Sequence, residues 1–159
     1  MIEIDLSIDA AGWSELGDPA ALARRAVDAT LAVAPETPGG DFEIALLLTA
    51  DAAVHDLNRI WRSRDEPTNV LSFPAPSQPW TPGPRVLGDL VLAFETVAAE
   101  AAAEGKTLAE HAAHLIVHGV LHLLGYDHGT EAEAGEMEAL EVKTLARLGI
   151  ANPYREVAA

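Results

Sequence analysis

Apolar and polar residues alternate strictly at the start of the chain, with Ile2, Ile4, Leu6 and Ile8 set against Glu3, Asp5 and Ser7. A period of two places alternate side chains on opposite faces, so residues 2–8 predict a strand. The period then lengthens. Asp18-Pro19 reads as a helix cap followed by proline at the first helical position, where its missing N–H is not needed. Leu22, Ala26, Val27, Thr30 and Leu31 form one helical face, which Pro35 and Gly39-Gly40 end. Residues 42–48 are largely apolar and predict a mostly buried strand. Thr49 or Asp51 is placed to cap a helix reaching about Arg62, with Val54, Leu57 and Trp61 turned inward. Residues 70–73 predict a short strand. Residues 74–86 hold five of the ten prolines, a density no regular element tolerates, so they predict an irregular loop, functional or plain surface.

Residues 87–93 return to strand character, and 94–104 are helical by their alanine content, with Gly105 as the stop. Thr107-x-x-Glu110 is a capping box opening the next helix. That helix is apolar nearly all round (Leu115, Ile116, Val117, Val120, Leu121, Leu123), which marks it as the central buried one. Thr130-x-x-Glu133 opens a last helix with Met137, Leu140, Thr144 and Leu148 inward, ended by Gly149. Four strands and five helices in the order β-α-β-α-β-β-α-α-α predict an α+β fold: one mixed four-stranded sheet covered by helices. The 159 residues suit a single domain spanning 1–159, and no linker or repeat divides them.

The central helix carries the chemistry. His118 and His122 are four residues apart, which puts both rings on one face about a turn apart. Gly125 supplies the left-handed residue that ends a helix, and His128 follows where a returning chain can add a third imidazole. Three neutral nitrogens with an open fourth position describe a catalytic zinc site better than a closed structural one. There are no cysteines, so any metal is held by nitrogen or oxygen. The spacing matches the zinc-protease pattern H-E-x-x-H-x-x-G-x-x-H with one departure, because Gly119 stands where the general-base glutamate belongs. Glycine accepts no proton. Peptide hydrolysis is thereby demoted and another metal-assisted hydrolysis favoured, since zinc can bring the pKa of its water to about 7. Met137 sits in an amphipathic helical pattern and reads as core, not as the methionine turn of those proteases.

Charge complicates the picture. The net charge of −15 is a poor start for a nucleic-acid binder. Its distribution helps: residues 57–88 carry Arg59, Arg62, Arg64 and Arg85 against Asp65 and Glu66, a local balance of +2. Acid collects later, at Glu131, Glu133, Glu136, Glu138 and Glu141, a run that reads as a solvated helix face. A chain of this charge is expected to bind naked nucleic acid weakly. No apolar run of 18 residues occurs, so no membrane span is expected, and the start of the chain lacks the marks of a signal peptide. A cytoplasmic protein fits these features.

The segment from His111 through His114, His118 and His122 to His128 resembles the signature of the YbeY family of bacterial metal-dependent endoribonucleases. Two further blocks agree in order: Leu57-Asn58-Arg59-Ile60-Trp61-Arg62 with Pro67-Thr68-Asn69-Val70-Leu71-Ser72-Phe73-Pro74, and Leu87-Gly88-Asp89-Leu90-Val91. The resemblance spans residues 57–128. It implies the same α+β fold and single-strand-specific cleavage in ribosomal RNA processing, notably at the 3′ end of the small-subunit RNA, together with ribosome quality control. It implies His118, His122 and His128 as ligands of one zinc or other divalent ion. Ribosomal RNA, the small ribosomal subunit and its associated proteins become the expected partners. Two other readings stand beside it: a zinc metalloprotease-like hydrolase, and a non-catalytic ribosome assembly factor with a structural metal.

By its position alone, Arg62 is a surface arginine at a helix C-terminus, favoured by the dipole. The resemblance aligns the family's important arginine with Arg62 and implies a catalytic role, a bidentate guanidinium contact to the scissile phosphate. Arg59 and Arg64 read as auxiliary phosphate contacts or surface charge. His114 extends the histidine face and suits a supporting or substrate-binding role. Helix rise puts it about 12 Å from His122, too far to share one ion. Asp127 can orient an imidazole, accept a proton or stabilise a turn. Asp89 is a candidate buried anchor near the site, and Ser72 and Thr68 have no base partner that would make them nucleophiles.

Overall fold

Parallel strands are buried on both faces and so read as continuous apolar runs. The segments IALLL and LVLA supply two such strands at the middle of the sheet. In the computed structural model of the protein, which describes residues 2–35, 37, 39–76 and 85–154, the strands are β1 (Ile2–Ile8), β2 (Phe42–Thr49), β3 (Val70–Pro74) and β4 (Arg85–Ala93). Their order is β1-β2-β4-β3. β1 and β4 run parallel to β2, with Leu6 opposite Leu46 and Leu46 opposite Leu90. β3 is antiparallel to β4 and forms an edge, with Leu71 opposite Val91. An edge position is where a strand tolerates proline, and Pro74 closes β3 there. The expected loop at 74–86 is therefore shorter, because its two ends belong to strands. Its residues 77–84 lie outside the described residues.

The helices are α1 (Pro19–Val33), α2 (Asp51–Arg62), α3 (Phe94–Ala103), α4 (Leu108–Leu123) and α5 (Glu131–Arg147). Alternation along the strands sorts them. Ile44, Leu46, Leu48, Leu90 and Leu92 point into the main core with Ile116, Val120 and Leu121 of α4. Leu71, Val91 and Ala93 point the other way, onto Val54 of α2. α4 lies against β3 and β4 and is flanked by α1, α3 and α5, so the expected central buried helix is found. Asp18 caps α1 by accepting from the Ala21 N–H at 3.0 Å. Thr107 and Glu110 form the full capping box of α4, whereas at α5 only Thr130 caps, accepting from Glu133 at 3.1 Å.

Four local expectations differ. Residues Ala11–Leu16 form a 3-10 turn that buries Trp13 completely, its Nε1 donating to the Thr49 carbonyl at 2.9 Å. Six residues are too few to carry a periodic signal. Neither Thr49 nor Asp51 caps α2. The Asp51 carboxylate instead accepts from the backbone and hydroxyl of Thr96 at 3.0 and 2.7 Å, and the Asp51 N–H donates to Glu95. Trp61 is 70% exposed, not inward. The inward place in that turn goes to Asn58, whose amide donates to the Glu66 carbonyl at 2.8 Å and ties down the following loop. Asp89 is exposed, because a register shift in the β2–β4 pairing and strand alternation turn it away from the core.

Candidate metal centre

α4 brings His118 and His122 to its last two turns and then stops. Gly125, at φ +101°, reverses the chain, donating to the His122 carbonyl at 3.0 Å while Tyr126 N–H donates to Leu121 at 3.0 Å. This pair of bonds is the six-to-one, five-to-two closure of a helix end, and a side chain at position 125 would be strained in it. The turn returns His128 to the other two rings. Its centroid lies 5.8 Å from that of His118 and 5.2 Å from that of His122. One ring nitrogen from each of the three histidines lies within 4.8 Å of the others.

The hydrogen bonds behind the rings fix which nitrogens face the centre. His122 Nδ1 lies 2.9 Å from the Tyr126 carbonyl, which only accepts, so that nitrogen carries the proton. His118 Nδ1 likewise donates to the Glu141 carboxylate. Both Nε2 atoms are then bare lone pairs, and they face one another at 3.0 Å. Two acceptors at that distance repel in water and attract a shared cation, so the donor set fits a divalent metal. Burial, and after it the neighbouring His118 and His128, push the His122 imidazole below its usual pKa, which favours the neutral form a metal requires.

Position 119 explains the missing glutamate. α4 lies so close to the sheet that a Cβ there would stand 2.6 Å from Leu90 Cδ2 and 3.3 Å from Ser72 Oγ. A side chain there requires Leu90 or the helix to shift, so this packing disfavours the general base of the zinc-protease pattern.

In front of the rings is an open cleft of about 500 Å³ lined by the three histidines, Arg62, Thr68, Asn69, Ser72 and Asp127, among others. Arg62 comes from the end of α2, where Ser63 adopts a left-handed conformation, φ 57°, and stops the helix. Its guanidinium makes no hydrogen bond or ion pair with the described residues, and Arg62 lines the same cleft as the imidazoles. Asp127 Oδ1 accepts from the His128 N–H at 2.8 Å, the turn-stabilising role, and the residue still lines the cleft. Asn69 is held from behind by Glu100 at 3.0 Å, which also meets His111 at 2.9 Å. Arg59 is not among the lining residues and pairs with Asp56 at 3.4 Å. His114 is likewise outside the lining; its Nε2 meets Glu141 at 3.2 Å behind His118.

Glu141 is the residue that the charge pattern hides. It belongs to the acidic run read as a solvated face, yet it is completely buried. Its carboxylate accepts from His118, His114 and the Tyr154 hydroxyl. Burial pushes the carboxyl up, but these hydrogen bonds, with the charge of His118, outweigh it and hold the group at about 2. Burial, followed by that carboxylate, pushes the Tyr154 phenol up, so it remains a donor. The signal was helical spacing: Glu141 is four residues after Met137 and three before Thr144, on the buried face of α5.

A mixed α+β sheet with three imidazoles converging on an open cleft defines a candidate metal-dependent hydrolase. Comparison with known proteins gives the family. Residues 15–149 match the family described as Endoribonuclease YbeY. A protein of that name from Paramagnetospirillum magneticum is 53% identical, covering 98% of this chain and 97% of that one. Another from Azorhizobium caulinodans is 52% identical, covering 96% of each. The solution structure of TM1509 from Thermotoga maritima shares the fold at TM-score 0.56 and 22% identity, covering 98% of this chain and 100% of that one. The chain belongs to the endoribonuclease YbeY family.

Proposed function

We propose that this chain is a single-strand-specific, metal-dependent endoribonuclease of ribosomal RNA maturation, acting at the 3′ end of the small-subunit RNA in the cytoplasm. Its relatives carry the name endoribonuclease over nearly their full length. The observation that carries the chemistry is the facing pair of His118 and His122 Nε2 atoms in a cleft that Arg62 also lines.

His118, His122 and His128 hold one divalent ion, zinc by the chemistry of three imidazoles. When bound, such an ion supplies Lewis acidity and acidifies water. The other steps belong to the protein. Arg62 grips two oxygens of the scissile phosphate with its planar fork and stabilises charge as it grows there. Asp127, the one carboxylate among the described lining residues, accepts the proton of the attacking water at Oδ2, since Oδ1 is occupied by the His128 N–H. The cleft is open, and Thr68, Asn69 and Ser72 on its wall offer polar groups, which suits an unpaired strand that can bend into it. With a net charge of −15, long-range attraction for RNA is weak, so the small ribosomal subunit and its proteins supply docking. Among the described residues no helix is long and apolar enough to cross a membrane. The protease-like reading loses ground at Gly119, which carries no carboxylate and where a larger side chain would have to displace Leu90.

The test is cleavage of matched single-stranded and duplex RNAs by metal-loaded and chelated protein, beside a peptide library. Metal-dependent cuts in the unpaired RNA alone are expected. Cleavage of peptides with intact RNA would overturn the assignment.

A further inference from the structure

Within the acid-rich helix α5, one carboxylate sits in the core. Glu141 is fully buried, as are Met137, Thr144 and Leu145 of the same helix. A buried carboxylate costs several kcal/mol of desolvation, and a leucine of similar volume often serves stability as well or better. The donors around it show what it serves. Oε1 takes the Nδ1 proton of His118. Oε2 takes the Tyr154 hydroxyl and faces His114 Nε2 at 3.2 Å. His114 Nδ1 is buried with no partner, so the Nε2 proton is the one His114 has to give. The two oxygens therefore divide the work, one on the His118 ring and the other tied down by two groups.

We propose that Glu141 is the positioning residue of the metal centre: it holds His118 in the Nδ1–H tautomer with Nε2 bare toward the ion, and His114 and Tyr154 hold Glu141. The proposal rests on the three-histidine reading above. It also gives His114 a place, behind a ligand and away from substrate. A neutral imidazole in water prefers its proton on Nε2, the atom that must be bare here. An acceptor fixed behind Nδ1 reverses that preference before any ion arrives, and its charge makes Nε2 a better donor. Tyr154 follows α5, so the end of the chain reaches the centre through one hydroxyl.

The test uses the full chain with Glu141→Gln and Glu141→Leu. Zn²⁺ affinity is measured by competition with a chromophoric chelator, and the His118 tautomer by ¹⁵N NMR of the metal-free protein. Affinity is expected to fall about 10-fold in the glutamine variant and about 100-fold in the leucine variant. The His118 proton is expected on Nδ1 in the wild type and on Nε2 in the leucine variant, a change that loosened packing alone does not produce. A leucine variant that binds Zn²⁺ as tightly as the wild type, or keeps the wild-type tautomer, overturns the proposal. If the leucine chain does not fold, the glutamine variant decides by the same affinity measurement. A wild type that binds no Zn²⁺ sinks the metal reading instead, and the tautomer measurement still decides the role of Glu141.

Discussion

The two sides of the histidine cluster are built differently. Behind His118, toward α5, lie Glu141 and His114, with 1% and 12% of their side chains exposed, and their hydrogen bonds run to named partners. In front, toward α2, Arg62, Asp127 and His128 are exposed around an open cleft, and the Arg62 guanidinium is unpaired among the described residues. The rear fixes proton positions and ring angles. The front leaves charge and hydrogen-bonding capacity free for a substrate. Substitutions behind the cluster are therefore expected to act on metal affinity, and those in front on rate.

The sharpest test of that division is Arg62. Arg62→Ala is expected to lower the RNA cleavage rate on the order of 10²-fold, with metal content and melting temperature unchanged. Arg62→Lys is expected to do nearly as much damage, because a point charge does not reproduce the two-donor fork. Loss of metal as the only defect of Arg62→Ala would move the residue to the rear and break the comparison.

Gly119 lies where the two sides meet the sheet. Gly119→Ala forces a Cβ to 2.6 Å from Leu90 Cδ2, so α4 or Leu90 has to shift. Overpacking of this kind costs about 1–3 kcal/mol, to be read from denaturant midpoints. An alanine variant as stable as the wild type would show that the helix has room at position 119.

The far end of α4 is a control. Thr107→Ala removes the cap and is expected to cost about 1 kcal/mol with metal affinity unchanged. The backbone and side chain of Thr107 hold the Glu110 carboxyl below its usual pKa. A depressed carboxyl stabilises the fold above its unfolded value and ceases to do so as the pH falls through its folded value. The melting-temperature gap between wild type and Glu110→Gln should accordingly be largest near neutrality and close in acid. A gap that widens in acid would contradict this.

The smallest effect is expected at Trp61, where Trp61→Ala should change stability by less than about 0.5 kcal/mol, since the residue is 70% exposed. A loss of several kcal/mol in thermal or denaturant unfolding would restore the inward placement that helical spacing suggested.

Trp61 also shows where the sequence misleads. An aromatic at helical spacing reads as core, yet the inward place in that turn goes to Asn58, which donates to the Glu66 carbonyl. Glu141 fails in the opposite direction, since composition gives it to the solvated run while two of its partners, His114 and His118, lie on α4, more than twenty residues away. Trp13 was invisible because its turn of six residues is too short to repeat a helical pattern. What did come through depended on short-range rules. The capping box at Thr107, the 118/122 spacing and the stop at Gly125 each operate within a few residues, and together they locate the three imidazoles. The front of the cleft was half legible. Arg62 came from the family resemblance, whereas Asn69 depends on Glu100 of α3 and could only be seen folded.

All of this turns on whether the three facing imidazoles hold an ion. The direct measurement is metal content of the purified chain by elemental analysis, beside His118→Ala, His122→Ala and His128→Ala. One divalent ion per wild-type chain is expected, with loss in each of the three variants. Unchanged stoichiometry in all three would contradict the account.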